Sequence, residues 1–241
     1  MFTFISFGLL GLYDDLRKTF GFKRTKFWGL RFRHKFIAQL VLASIVAVVL
    51  NKHLGIDIVN VRFFDVFNLG IWYLPFAVFT IVSFANAVNI ADGLDGLASG
   101  LLLICILAFL VTSKSILDTT ISTFLGLWIG ALIAFLYFNV WPARIWLGDV
   151  GSLSFGATLA VCGLLLGKPI AMPIIGGVFV FEVGSSLIQL VSKKIRKKKI
   201  LPAAPLHLMF QHLGWEEPKI VFRFWLAQII FACLGLWLAL I

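Results

Sequence analysis

The chain has 241 residues, of which 61% are apolar and 13% charged, about half the charged share of an average soluble domain, roughly 25%. So few charges cannot cover a soluble globule of this size, and 25 Phe with 8 Trp exclude disorder and low complexity. The net charge of +10 would suit nucleic acid in a soluble protein. In a membrane protein, basic residues gather in cytoplasmic loops instead, so no nucleic-acid partner is expected.

Apolar runs long enough to cross a bilayer core of about 30 Å are expected in chain order at Phe2–Tyr13, Phe36–Leu50, Ile71–Ile90, Leu97–Thr112, Ile121–Val140, Leu153–Gly167, Ile170–Val191 and Val221–Ile241. The expected fold is all-α, a polytopic transmembrane helical bundle of about eight spans forming one domain. The first run is short for a span, so residues upstream of Met1 are expected. Between the second and third runs, LGIDIVNVRFFDVFNLG is rich in β-branched and Phe residues. It is expected to form a small external β-hairpin, with membrane-facing coil as the alternative.

Orientation follows from Lys and Arg. Arg17, Lys18, Lys23, Arg24, Lys26, Arg31, Arg33 and Lys35 fall on one side with Arg144, the Lys193–Lys199 run, Lys219 and Arg223. Lys52, Arg62, Lys114 and Lys168 fall on the other, a split of 17 against 4. The richer side is read as cytoplasmic. Gly126/Gly130 and Gly163/Gly167 have GxxxG spacing and are expected to be helix-packing faces. Cys105, Cys162 and Cys233 sit singly in apolar runs and read as packing residues.

The carboxylates carry the chemistry. On this topology Asp14, Asp15, Asp92, Asp95 and Asp149 all fall near cytoplasmic ends of spans, and ionisable groups near hydrocarbon usually face a cavity and serve a function. Asp14-Asp15 is a repelling pair that asks for a cation or a proton, and oxygen ligands with room for phosphate favour Mg²⁺. Asn86, Asn89 and Asp92 recur at i, i+3, i+6, near one helix face, and Gly93, Asp95 and Gly96 follow. The bland alternative is a polar turn.

Downstream, Asn139 precedes Trp146-Leu-Gly148-Asp149-Val-Gly151-Ser152. That pattern suits a turn whose backbone N–H groups meet an anion at a helix start. Trp146 taken alone reads as an interfacial anchor, with stacking on a base as the alternative. His207 and His212 are five apart, which misses the usual helical pairing for zinc. A lone loop His is most often solvated. Glu182, inside the seventh run, is expected to pair internally or to line a cavity.

Together these segments, with the Pro205-Leu-His207…Gly214-Trp-Glu-Glu-Pro-Lys219…Arg223-Phe-Trp225 ending, resemble the polyprenyl-phosphate N-acetylhexosamine-1-phosphate transferase superfamily. Within it they are most similar to the phospho-N-acetylmuramoyl-pentapeptide transferases. The resemblance runs from Gly8 to the C-terminus, with the motifs in the family's order. It implies Mg²⁺-dependent transfer of phospho-MurNAc-pentapeptide from UDP-MurNAc-pentapeptide to a polyprenyl (undecaprenyl) phosphate at the bacterial inner membrane, releasing UMP. It further implies that Asp14 positions or deprotonates the lipid phosphate, that Asp15 lies beside the reacting phosphates, and that Asp149 is the principal metal ligand with Asp15. His207 is implied as a catalytic-loop histidine. Asn86, Asn89, Asp92, Gly93, Asp95, Asn139, Trp146 and Gln189 are implied as substrate contacts.

Two departures stand out. The family has ten spans and this chain begins where the third would be, so an N-terminally incomplete chain is expected. The family's three consecutive histidines read His207-Leu208-Met209 here. The alternatives are a GlcNAc-1-phosphate transferase, which the GWEEPK ending disfavours, a transporter and an inactive membrane scaffold. A homodimer is a further expectation.

Overall fold

The computed structural model describes residues 1–20, 32–60 and 66–240. The basic residues Lys23, Arg24, Lys26, Arg31 and Arg62 therefore lie outside the described residues. In chain order the helices are α1 Phe2–Thr19, α2 Phe32–Val48, α3 Tyr73–Ala91, α4 Leu97–Ser115, α5 Thr119–Asn139, α6 Gly148–Leu165, α7 Ala171–Ile175, α8 Gly177–Ile195, α9 Leu206–His212 and α10 Glu217–Leu240. The fold is all-α and polytopic. The expected hairpin forms: β1 Ile58–Asn60 pairs antiparallel with β2 Val66–Asn68, in the register Ile58↔Asn68, Val59↔Phe67, Asn60↔Val66.

Six helical stretches among the described residues are long and apolar enough to cross a membrane: Phe32–His53, Gly70–Ala91, Leu97–Ser115, Thr119–Asn139, Gly148–Leu165 and Glu217–Leu240. The other two expected runs take different forms for a visible reason. Phe2–Tyr13 continues as α1 through Asp14, Asp15, Arg17 and Lys18. Ile170–Val191 is divided at Gly176 into α7 and α8, and α8 runs on through Lys193 and Lys194.

The chain gathers into two compact units interleaved in sequence. The first comprises Met1–Asn89 and Leu147–Pro169; the second comprises Ile90–Trp146 and Ile170–Ile241. In the first, α1 lies along α6. Small residues permit the approach: a Cβ on Gly8 would stand 3.7 Å from the Ser154 Cβ, and one on Gly11 would overlap the Asp149 carbonyl. Phe4 and Phe155 close the far end edge to face, with centroids 5.3 Å apart.

In the second unit, α4 packs against α5 and α10, and α10 also packs against α7, α8 and α9. The Asp118 carboxylate caps α5 by accepting from the Ile121 N–H at 2.8 Å. Only 17% of the apolar window of α5 is buried, against 67% for α4, so α5 turns most of its apolar surface outward. Gly126 and Gly130 lie on that outward surface and a Cβ there would meet nothing within 4 Å. This corrects the expectation that the pair packs against a helix of this chain, because α5 meets α4 through other residues such as Leu125, Trp128 and Leu132, which are buried.

The α7–α8 break leaves backbone groups without helical partners, and a side chain from α10 supplies them. Gln228, fully buried, accepts from the Val178 N–H at 3.0 Å and donates to the Ile175 carbonyl and the Cys105 sulfur. A break in an apolar helix persists only when its freed groups are satisfied in this way.

Three outcomes are expected in thermal melting of the purified protein. Gly11→Ala should destabilise by about 1–3 kcal/mol, as overpacking does, while Gly126→Ala leaves the melting temperature unchanged. Gln228→Leu keeps the volume but orphans the Val178 N–H, and should cost about 1–3 kcal/mol.

Candidate functional site

Within the first unit, one polar cluster is assembled from four helices. The last turns of α1 bring Asp14, Asp15 and Lys18; the first turns of α2 bring Lys35; the end of α3 brings Asn86 and Asn89; and the start of α6 brings Asp149 and Ser152. Asp149 is the hub. One oxygen accepts from Lys18 Nζ at 2.5 Å and Lys35 Nζ at 2.7 Å, and the other from Asn89 Nδ2 at 2.5 Å. Asn89 also donates to Ser152 Oγ at 2.8 Å, and Ser152 donates to the Gly148 carbonyl at 2.7 Å.

The α1 carboxylates meet the same cations. Lys18 Nζ lies 3.2 Å from Asp14 and 3.3 Å from Asp15, and Lys35 Nζ lies 3.2 Å from Asp14. Asp14 is 2% exposed and Asp149 8%, so these are ion pairs removed from bulk water, where charges must be matched closely. Burial works against the Lys18 ammonium, but hydrogen bonds and Coulomb attraction from Asp149 and then Asp14 outweigh it and raise its pKa above the ordinary lysine value.

The α6 N-terminus explains why Asp149 suits this place. A carboxylate in the first turn is favoured by the helix dipole, and Gly148 enters the helix at φ +63°, which only glycine adopts readily. The backbone N–H that the sequence reserved for an anion is taken here by Asp15, which accepts from the Val150 N–H at 3.2 Å. Asn86 turns away from Asp149: its amide donates to Gln39 Oε1 at 2.7 Å and to the Val82 carbonyl at 2.8 Å.

One cation, the Lys18 ammonium, touches Asp14, Asp15 and Asp149 together. Among the described residues, the ammoniums of Lys18 and Lys35 face these three carboxylates. Among the described residues no three Asp, Glu, His or Cys side chains stand ready as a metal cage. The donor set instead suits a small hard cation held by one or two carboxylates and completed by ligand oxygens.

The remaining motif residues belong to the second unit. Asp95, in the turn before α4, accepts from the Ala143 N–H at 2.9 Å and from the Trp146 indole N–H at 3.1 Å, while its own N–H donates to Glu217 at 2.6 Å. Asn139 accepts from Ser99 at 2.5 Å and donates to the Ile145 carbonyl at 2.8 Å. These two residues fold the segment after α5. The Trp146 ring remains 70% exposed, free to stack or to anchor. Asp92 is half-buried beside an exposed Gly93. Gln189 spends its amide on the chain after α8, donating to the Leu201 carbonyl at 2.8 Å and accepting from Ile200 and Leu201 N–H at 3.0 and 3.1 Å.

His207 is not the solvated loop histidine that a bland reading expects. It lies in α9 at 2% exposure. The Glu182 carboxylate, fully buried on α8, stands 2.9 Å from its Nδ1 and accepts its backbone N–H at 3.1 Å. The expected internal partner of Glu182 is thus His207.

Lys18 and Lys35 are the site residues that sequence reasoning missed, having been counted only as topogenic charges. For Lys18 a signal existed, since it falls three and four residues after Asp15 and Asp14 on one helix. For Lys35 no local pattern existed.

Residues 1–167 match the family model described as glycosyl transferase family 4. A phospho-N-acetylmuramoyl-pentapeptide-transferase from Caldanaerobacter subterraneus subsp. tengcongensis is 38% identical over 227 residues, covering 94% of this chain and 71% of that protein. Those of Borrelia turicatae and Thermodesulfovibrio yellowstonii are each 38% identical, covering 98% and 97% of this chain and 72% and 70% of their own lengths. The chain belongs to glycosyl transferase family 4, and within it to the phospho-N-acetylmuramoyl-pentapeptide transferases.

Proposed function

We propose that this chain transfers phospho-N-acetylmuramoyl-pentapeptide from its UDP conjugate to polyprenyl phosphate, yielding lipid I and UMP for peptidoglycan synthesis. The observation that carries the reading is the convergence of Asp14, Asp15 and Asp149 on Lys18, with Lys35 beside them. The names of the relatives supply the substrates. The excess of Lys and Arg on one side of the predicted topology supports a reaction at the cytoplasmic face of the bacterial inner membrane, where a soluble nucleotide meets a lipid.

Phosphoryl transfer asks a protein chiefly for alignment and charge neutralisation. An oxygen of the lipid phosphate attacks the β-phosphorus of the nucleotide sugar. The new O–P bond forms as the pyrophosphate bridge breaks, and UMP leaves. Asp14, the most deeply buried of the three carboxylates, would position the lipid phosphate. Lys18 and Lys35 would carry positive charge to phosphate oxygens. Asp15 and Asp149 would hold Mg²⁺, which when bound neutralises charge on the phosphates. By family resemblance Asp92, Gly93, Asp95, Asn139, Trp146 and Gln189 are nucleotide and sugar contacts. There Gly93 and Trp146 offer exposed surface, whereas Asp95, Asn139 and Gln189 also hold the protein's own backbone.

Two measurements test this. Asp149→Asn retains the size of the hub but not its charge, so it should melt below the parent protein and, assayed at a temperature where it remains folded, lower Mg²⁺-dependent UMP release about a hundredfold or more; preserved turnover removes Asp149 from the chemistry. With polyprenyl phosphate present, UMP should be released from UDP-MurNAc-pentapeptide and not from UDP-GlcNAc. The reverse preference would make the chain a GlcNAc-1-phosphate transferase.

A further inference from the structure

The buried pair Glu182–His207 belongs to the second unit, and its geometry resembles an oriented catalytic imidazole more than a structural ion pair. Both Glu182 oxygens are spent on the one residue: Oε1 accepts the His207 backbone N–H at 3.1 Å, and Oε2 lies 2.9 Å from Nδ1. Two contacts to one residue fix both the position of the backbone and the rotation of the ring. A proton is thereby held on Nδ1, the role a carboxylate takes when it orients a working imidazole.

The other ring nitrogen is left over. Nε2 makes no hydrogen bond among the described residues and is not one of the fully buried unpaired polar atoms, so the small exposed part of His207 includes it. Nε2 lies over Gly93, which is itself exposed, and a Cβ at position 93 would overlap that nitrogen. Glycine therefore keeps open the short path between Nε2 and the outside.

We propose that Glu182 is a positioning residue for His207, and that the pair presents Nε2 beside Gly93 to a polar atom of the bound nucleotide sugar. This rests on the transferase reading above for the identity of the ligand, though not for the existence of the oriented ring. Glu182 acts only through His207, whose contact with substrate is the one that matters.

The test is a double-mutant cycle joined to a spectroscopic readout on the whole chain. Glu182→Gln is close to isosteric and keeps one acceptor oxygen. It should shift the ¹⁵N ring resonances of His207, assigned by their loss in His207→Ala, away from the Nδ1-protonated pattern. In UMP release, Glu182→Gln and His207→Ala should each lower kcat at least about tenfold, and the double variant should be no slower than His207→Ala alone. Gly93→Ala should slow the parent enzyme and leave the His207→Ala variant unaffected. Unmoved ring resonances, multiplying losses in the cycle, or full activity of Glu182→Gln would each overturn the proposal. Absence of UMP release by the parent chain with every UDP-sugar would count against the transferase reading instead, and the ring resonances would still decide whether Glu182 orients His207.

Discussion

Charge buried in an apolar protein is the constraint around which the first unit is built. An ionised carboxylate away from water persists only when opposite charge and hydrogen-bond donors stand close by. Asp149 meets that requirement with groups from three other helices: Lys18 of α1, Lys35 of α2 and Asn89 of α3. Sliding any of those helices along its axis by one turn, about 5.4 Å, would break at least one of these contacts. The cluster therefore sets the axial register of helices whose apolar faces alone would tolerate several. The glycines on α1 serve the same end by letting it lie close enough for Asp15 to reach the Val150 N–H.

In the second unit, polar side chains are used to different effect. Asp95, Asn139, Gln189 and Gln228 each bind backbone, closing the turn before α4, the segment after α5, the chain after α8 and the α7–α8 break. Local composition does not distinguish a polar residue that holds a loop from one that holds a ligand. Asp95 and Trp146 show how the two uses overlap, since the hydrogen bond between them fixes an indole whose ring remains largely exposed.

Much of this was legible in the chain and some was not, for physical reasons. Apolar runs announced α2 to α6 and α10 because crossing a bilayer imposes length and composition together. The hairpin followed from β-branched residues between two such runs. Asn89 and Asp149, drawn from separate motifs, do meet. What escaped was pairing across distance. Lys35 looks like any juxtamembrane lysine until Asp14 and Asp149 are seen against it, and Glu182 carries no trace in its own neighbours of His207, 25 residues on. Gly126 and Gly130 mark the opposite error, because a spacing that permits close packing does not supply a partner.

The splint across the α7–α8 break also bears on how the chain is made. The groups it satisfies are in place once Val178 has been synthesised, but Gln228 comes 50 residues later. During that interval a bent α7–α8 carries an unpaired Val178 N–H and an Ile175 carbonyl served only by the weak Cys105 S–H donor, whereas a straight helix through the same residues would satisfy both internally. The bend thus depends on a side chain 50 residues further along the chain, and its full set of hydrogen bonds exists only once α10 has joined the segment.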